Sequence, residues 1–225
     1  NSNTIIVIGL CDKNRIYIDS ELALGSNLII VEQNKENLYI NEYMKSSNVS
    51  VLIANPKEKE TLLKLNLDAK KYIVVSTGKD VDNIEIVSQI LTFNHNVNIY
   101  VQIENRSLRY FHKENGLLQG SNIKIYSYYE DASRELFKKY DIDGKNYEIL
   151  SRNEEYSIVI LGNTNLSYEV IFQACIMGQL PNENKLTIYC LDKNPKKFQQ
   201  KVELNYTEIH NVPNIELKYI KFDID

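Results

Sequence analysis

Short apolar runs rich in isoleucine and valine alternate with amphipathic segments along the first half of the chain. The runs are short and apolar at consecutive positions, which is typical of strands covered on both faces of a sheet. Helix-length segments separate them, so we expect crossovers that leave the strands parallel. The pattern predicts a doubly wound, Rossmann-like α/β fold. The predicted strands are 4–9, 27–32, 49–53, 72–76 and 97–103, and the predicted helices are 14–24, 35–45, 57–65 and 81–93.

The alternation continues through a helix over 107–119 and a strand over 122–129 to a helix over 130–140. This last helix carries an apolar stripe along one face, and the stripe needs a cover. Either the core of its own domain or another subunit could supply that cover. The stripe consists of Ala132, Leu136, Phe137 and Tyr140.

Two glycines and one acid recur at equivalent places in the second half of the chain, which indicates an internal duplication. The second copy shows strands over 156–162, 185–192 and 215–222 and helices over 166–178 and 195–203, so we expect it to be incomplete and the sequence to be part of a longer protein. We divide the chain into a first domain over 1–121, a connection over 122–150 and a second domain over 151–225. The equivalent pairs are Gly9 with Gly162, Gly25 with Gly178, and Glu32 with Asp192.

The turn after the first strand occupies the place of a dinucleotide fingerprint, which needs three small residues for the turn, the pyrophosphate approach and helix packing. Only the turn glycine remains in each copy. The Cys11 side chain intrudes where phosphate oxygens would meet the helix N-terminus, and Asp12 adds a negative charge there. Both features disfavour a pyrophosphate. The three positions are Gly9, Cys11 and Asn14 in the first copy and Gly162, Thr164 and Ser167 in the second.

One feature favours a nucleotide in the first copy. Glu32 closes the second strand, where an acid can accept hydrogen bonds from a ribose diol. Alternatively, Glu32 caps or solvates the end of the strand. In the second copy Asp192 is the one supporting residue, so the case for a ligand is weaker there.

Composition excludes several classes of function. The formal charge is −4 and the basic residues are scattered, so we expect no nucleic-acid partner. Three cysteines without C-x-x-C spacing suit reduced thiols of the cytoplasm, and we predict neither disulfides nor a metal site. No apolar run approaches the roughly 18 residues of a membrane span, and no signal peptide opens the sequence.

Catalytic signatures are weak. Tyr189 and Lys193 have the tyrosine–lysine spacing of short-chain dehydrogenases, but Tyr189 falls within a predicted strand, where we expect it to be buried. The three histidines fall in unrelated segments, and neither a G-x-S-x-G nor a P-loop motif is present. We therefore predict that the chain is not an enzyme.

Acids surround Gly144 and raise the question of a calcium loop. A complete loop needs three acids at alternate positions before its glycine and a glutamate at its twelfth position. Asp141, Asp143 and Glu148 do not meet this pattern, so we interpret the segment as an acidic turn after a helix.

Four linked segments carry a resemblance to a known family: "IIVIGL", "LIIVEQNKENL", "VLIANPKEKETLLKLNLDAKKYIVVSTGKDVDNIEIV" and "YSYYEDASRELFKKYDIDG". In the third segment, Ala54 and Asn55 end a strand, and Thr77, Asp80 and Asn83 form a T-x-x-D-x-x-N turn into a helix. Together they resemble the RCK domains, also called TrkA-N domains, which regulate potassium channels and potassium uptake systems. The resemblance covers residues 3–144 and extends through the repeat to about 222.

The resemblance implies a Rossmann core, a crossover helix at 130–140 that exchanges contacts between paired domains, and tandem copies assembled beneath a pore as a gating ring. On this ground we favour another subunit or domain, rather than its own domain, as the cover of the apolar stripe on this helix. It implies a homo-oligomer, a membrane channel or transporter subunit as partner, and a place at the cytoplasmic face of the membrane. Members that bind NAD or adenine nucleotides keep the glycine-rich turn and an aspartate after the third strand, which is Asn55 here. The chain is more similar to members that have lost nucleotide binding, and we assign no cofactor. The alternative is an NAD- or adenine-nucleotide-binding domain, with candidate binding residues Gly9, Cys11, Asn14, Glu32, Asn55, Thr77 and Gly78, and Gly162 and Asp192 in the second copy.

Overall fold

The computed structural model describes residues 4–67, 72–116, 118, 120, 122–140, 142, 155–179 and 185–223. The chain forms two compact units, one up to Tyr128 and the other from Tyr129. The bounds 1–121, 122–150 and 151–225 stay a prediction. The acidic turn predicted at Asp141, Asp143 and Glu148 lies outside the described residues.

The first unit contains a six-stranded parallel sheet in the order β3-β2-β1-β4-β5-β6. The strand order reverses between β1 and β4, where open α/β sheets bind ligands beyond the carboxyl ends of their strands. The doubly wound, Rossmann-like fold is confirmed. The strands are β1 Thr4–Ile8, β2 Asn27–Glu32, β3 Val49–Ile53, β4 Tyr72–Val75, β5 Ile99–Gln102 and β6 Ile123–Tyr126.

Apolar side chains on both faces of β1 explain why helices cover both sides of this sheet. Ile5 and Val7 belong to one core, and Ile6 and Ile8 belong to another. The helices between β1 and β3 contribute to the first core, and the helices after β3 contribute to the second. The helices are α1 Asp12–Ala23, α2 Ile40–Tyr43, α3 Lys59–Lys64, α4 Asp80–Phe93 and α5 Arg106–Glu114.

The helix predicted over 35–45 is wrong in length, because α2 is a single turn. Asn34 accepts the Glu36 N–H at 3.1 Å, and Asn37 accepts the Tyr39 N–H at 3.0 Å. Such local side-chain bonds offer the backbone an alternative to a helix. The strand predicted over 122–129 is likewise too long, because a new helix, α6 Tyr128–Lys139, begins immediately after Ser127.

The second unit contains a three-stranded parallel sheet in the order β7-β8-β9. Its described residues form a core that includes Ile160, Ile171, Ile188 and Phe198, and all four are at least nine-tenths buried. Burial raises the pKa of the Cys175 and Cys190 thiols in this core to about 12, so both stay protonated near neutral pH. The elements are β7 Glu155–Leu161, α7 Asn165–Met177, β8 Lys185–Asp192, α8 Pro195–Asn205, a 3₁₀ turn Ile209–Asn211 and β9 Ile215–Lys221.

The residues of the apolar stripe on α6 lie in two different environments, one buried and one exposed. Phe137 is buried in the core of the second unit, so it is not available as the interface residue that we expected. Its position on the helix turns it towards its own unit, whereas Leu136 and Tyr140 are 41% and 60% exposed. Ala132 is half-buried. The predicted interface is therefore reduced to the exposed part of the stripe.

Candidate functional site

The turn after β1 is shaped by Gly9, whose φ of +91° is a backbone conformation that favours glycine. A Cβ at this position would lie 2.5 Å from the Ser76 carbonyl oxygen at the end of β4. The Gly9 N–H donates to the Val31 carbonyl at 2.8 Å. Gly9 is therefore required for the close approach of β1 to the end of β4, whether or not a ligand binds.

Glu32 is directed towards this turn and is only 9% exposed. Its Oε2 accepts the Leu10 N–H at 2.9 Å and the Asn37 side-chain amide at 3.2 Å, while its Oε1 accepts the Asn34 N–H at 2.7 Å. Charge-assisted hydrogen bonds of this kind are stronger than neutral ones. The carboxylate that we considered for a ribose diol therefore holds the loops after β1 and β2 together.

Asn14 stands at the third position of the fingerprint and is 3% exposed. Its Nδ2 donates to the Gly9 carbonyl at 2.7 Å, and its Oδ1 accepts the Cys11 N–H at 3.0 Å. The backbone amides of Leu10 and Cys11, which would face a pyrophosphate at this helix N-terminus, are thus engaged by Glu32 and Asn14.

Cys11 and Asp12 add a steric and an electrostatic obstacle to an anion. The Cys11 Sγ lies 3.8 Å from the Ser76 carbonyl oxygen, inside the crevice between β1 and β4. Asp12 is exposed in the first turn of α1, where its charge suits the helix dipole. Its carboxylate accepts a hydrogen bond from the Tyr39 hydroxyl, which raises the pKa of that phenol.

The T-x-x-D-x-x-N segment joins the loops after β4 and β5. Asn83 accepts the Thr77 N–H at 2.8 Å and the Thr77 hydroxyl at 2.7 Å, and its Nδ2 donates to the Gln102 carbonyl at 2.8 Å. Asp80 accepts the N–H groups of Glu104 and Asn105 at 2.9 and 2.7 Å. The motif is therefore a structural element of this sheet edge.

Two further candidate residues, Asn55 and Gly78, lie in the loops after β3 and β4. Asn55 accepts the Lys57 N–H at 3.1 Å and donates to Glu58 at 3.3 Å, so its side chain bonds within its own loop. Gly78 has a φ of +86°, and no described atom lies within 4 Å of a Cβ built there. Gly78 shares this openness with the candidate Gly162 of the second copy, whose φ is +84°.

Sequence reasoning missed Glu104, which joins α1 to the ends of β5 and β6. It accepts bonds from Lys13 at 3.4 Å, from the Gln102 side chain at 2.5 Å and from the Ser127 hydroxyl at 2.7 Å. Gln102 in turn accepts a hydrogen bond from the Ser76 hydroxyl. The position of Glu104, two residues after β5, was the available signal. Side chains of the protein itself thus span the crevice at the reversal of strand order.

The second copy repeats this arrangement. Asp192 accepts the Asn163 N–H at 3.0 Å and the Asn194 N–H at 2.7 Å, as Glu32 accepts those of Leu10 and Asn34. The Ser167 hydroxyl donates to the Gly162 carbonyl at 2.6 Å, as Asn14 donates to that of Gly9. Matching bonds at matching positions support the duplication inferred from the sequence.

The remaining chemical candidates form no common site. Tyr189 lies in β8 as expected but is half-buried rather than buried, with the Lys218 ammonium 5.6 Å from its ring centroid. Among the described residues, no group of three or more histidine, cysteine, aspartate or glutamate side chains could hold a metal ion. No helix in the same ranges is both long and apolar enough to cross a bilayer.

A family model for the TrkA-N domain matches residues 5–118. This match runs from β1 through α5 and includes the turn motifs, but it ends before β6, and it spans half of the chain. The chain belongs to the TrkA-N domain family. Comparison with curated protein sequences yields no match.

Solved structures of low sequence identity share the fold. The TrkA-N domain of the inner membrane protein ybaL from Escherichia coli is 13% identical, with a TM-score of 0.52 over 63% of this chain and 98% of that one. The GsuK RCK domain is 11% identical, with a TM-score of 0.60 over 86% of this chain and 56% of that one. A GsuK channel bound to NAD is 9% identical, with a TM-score of 0.60 over 96% of this chain and 57% of that one. The chain thus spans less than three fifths of these two GsuK chains.

Replacing Glu32 by glutamine should destabilise the first unit by about 1–3 kcal/mol, because an amide N–H₂ must then face one of the buried N–H donors. Asp192→Asn should act in the same direction in the second unit. The measurement is urea unfolding followed by circular dichroism. The control is Glu36→Gln, whose side chain is 80% exposed and should change stability little. Equal stability of Glu32→Gln and the wild type would contradict the structural role of this carboxylate.

Proposed function

We propose that this chain is a tandem regulatory domain of a potassium channel or potassium transport system, and that it acts through assembly rather than through a nucleotide held at the β1–α1 turn. The observation that carries the proposal is the repeated closure of this turn in a TrkA-N family member. In both copies a strand-end acid accepts the backbone N–H that follows the turn glycine. In a domain of this fold whose turn amides are already bonded within the protein, assembly is better suited than nucleotide binding to carry the regulatory signal.

A nucleotide would have to displace bonds that the protein already makes. Its phosphates would compete with Glu32 and Asn14 for the amides of Leu10 and Cys11, and they would lie beside the charge of Asp12. Each displaced donor or acceptor carries a desolvation cost unless the ligand replaces its bond. Solved structures of GsuK include one bound to NAD and one bound to ADP, and the same binding is the second candidate function here.

Assembly can act on both units through α6. This helix begins at Tyr128, the last residue of the first unit, and continues into the second. A partner that holds α6 therefore acts on both units through the covalent chain. Such a partner shifts a regulatory equilibrium only by its differential affinity for two conformations.

The proposal includes specific partners and a location. The domain works as a homo-oligomer attached to a membrane channel or transporter subunit, at the cytoplasmic face of the membrane. We assign it no catalytic step and no nucleic-acid partner. The scattered lysines and arginines and the net charge of −4 support the latter.

Millimolar NAD, NADH, ATP or AMP should leave the melting temperature of the chain unchanged. A ligand that binds only the native state stabilises it by about 2.7 kcal/mol at a concentration about 100-fold above its Kd. Differential scanning fluorimetry measures the effect, with the GsuK RCK domain as the comparison protein. A rise in melting temperature that saturates with one nucleotide would favour the second candidate function.

Leu136→Asp should weaken self-association, because it places a charge on the exposed part of the α6 stripe. Leu204→Asp is the matched control, since Leu204 is 81% exposed on α8. Light scattering at micromolar concentration measures the oligomer. In vesicles that contain the full-length protein, Leu136→Asp should also change rubidium flux, whereas the control should not. The proposal would be contradicted if the wild-type chain is monomeric, or if Leu136→Asp weakens assembly without changing the rubidium flux.

A further inference from the structure

The first sheet ends at β6, and a groove runs along the outer edge of this strand. Within the described residues β6 pairs with β5 alone, so its other edge has no neighbouring strand. The groove has a volume of about 560 Å³, and all of its lining residues belong to the first unit. They are Lys113, Leu118, Gly120, Ile123, Lys124 and Ile125.

The register of β6 turns the backbone of every second residue towards this outer edge. The Asn122 carbonyl accepts the Ile99 N–H at 2.8 Å, so the even-numbered residues of β6 bond towards β5. The backbone groups of Ile123 and Ile125 therefore point outward. The Ile123 N–H donates to the Gly120 carbonyl at 3.1 Å. Among the described residues, this leaves the N–H and C=O groups of Ile125 available to a further strand.

The side chains around the groove combine an apolar floor with positive charge. Ile123 and Ile125 are half-buried and pack against the core that contains Leu118, which is 3% exposed. Lys113 on α5 and Lys124 on β6 are both exposed. In the part of the chain that the structure describes, neither lysine forms an ion pair with a carboxylate. The groove therefore offers two uncompensated cations beside an apolar surface.

These charges select the kind of strand that can be added at this edge. If two copies of the chain paired through β6, which has only four residues, the Lys124 side chains would lie close together, and like charges across a ladder are unfavourable. A strand that carries carboxylates would instead be attracted. Because side chains alternate between the two faces of a strand, apolar residues can lie beside Ile123 and Ile125 while acids lie beside Lys124.

We propose that the outer edge of β6 and its groove bind an extended acidic segment of a partner protein as an added strand. The backbone of this segment bonds to Ile125, and its apolar side chains cover the floor of the groove. Its carboxylates lie beside Lys113 and Lys124. The proposal does not depend on the regulatory function, because binding to this edge is measured without a channel or transporter.

A synthetic peptide of sequence EVEVEV, acetylated and amidated at its ends, tests the proposal. Titration into the isotope-labelled 225-residue chain should shift the amide resonances of Ile123 and Ile125 in a saturable manner, as measured by nuclear magnetic resonance. The same peptide with every backbone nitrogen methylated should bind at least about tenfold more weakly, because it has no N–H groups to donate to the strand edge. This comparison leaves the protein unchanged.

The charge requirement is tested with a pair of double variants. Lys113→Glu with Lys124→Glu should weaken binding of the EVEVEV peptide about tenfold, because the new carboxylates repel those of the peptide. The matched control is Lys35→Glu with Lys45→Glu, which changes the net charge equally at two exposed positions near α2. The control should change the affinity little.

Three results would overturn the proposal: no shift at Ile123 and Ile125 with millimolar peptide, equal binding of the methylated peptide, or equal weakening by the two double variants. Shifts of these amides that depend on the concentration of the chain without any peptide would also overturn it, because they would assign the edge to a second copy.

Discussion

The hydrogen bond from the Leu10 N–H to the Glu32 carboxylate, at 2.9 Å, is the interaction on which the carboxyl edge of the first sheet depends. It fixes the turn at Gly9 against the loop after β2, and Asn14 closes the same turn from the helix side. Because the carboxylate is almost fully buried, its charge is stabilised by protein donors rather than by water. The residues that would form a nucleotide site thus bond to the turn itself and close it.

The duplication supports the conclusion that side chains of the protein close this turn. The two copies differ in side chains, with glutamate and asparagine in one and aspartate and serine in the other, yet these side chains bond to backbone groups at equivalent positions. A chance arrangement would not recur with different side chains. The first copy adds a second layer, in which Glu104 links α1, β5 and the start of α6. The carboxyl edge of the first sheet is therefore held by side-chain bonds that run across its strands.

The sequence predicted most of the fold, because apolar periodicity and short connections determine where these strands and helices occur. It failed where side chains compete with the backbone, as in the short α2, where Asn34 and Asn37 bond to nearby N–H groups. The sequence located the candidate residues around the turn, but it did not predict the bonds that their side chains form. No pattern indicates that Glu32 turns inward to Leu10, or that Phe137 packs into its own unit, since both depend on tertiary contacts.

Amide hydrogen exchange at Leu10 and Cys11, resolved by nuclear magnetic resonance, tests the central claim most directly. If Glu32 and Asn14 engage these amides, both should exchange as slowly as the amides of β1 and should be unaffected by millimolar NAD. Rapid exchange, at the rate of the exposed loop residue Lys35, that slows when NAD is added would contradict the account, because it would show that the turn is open to a nucleotide.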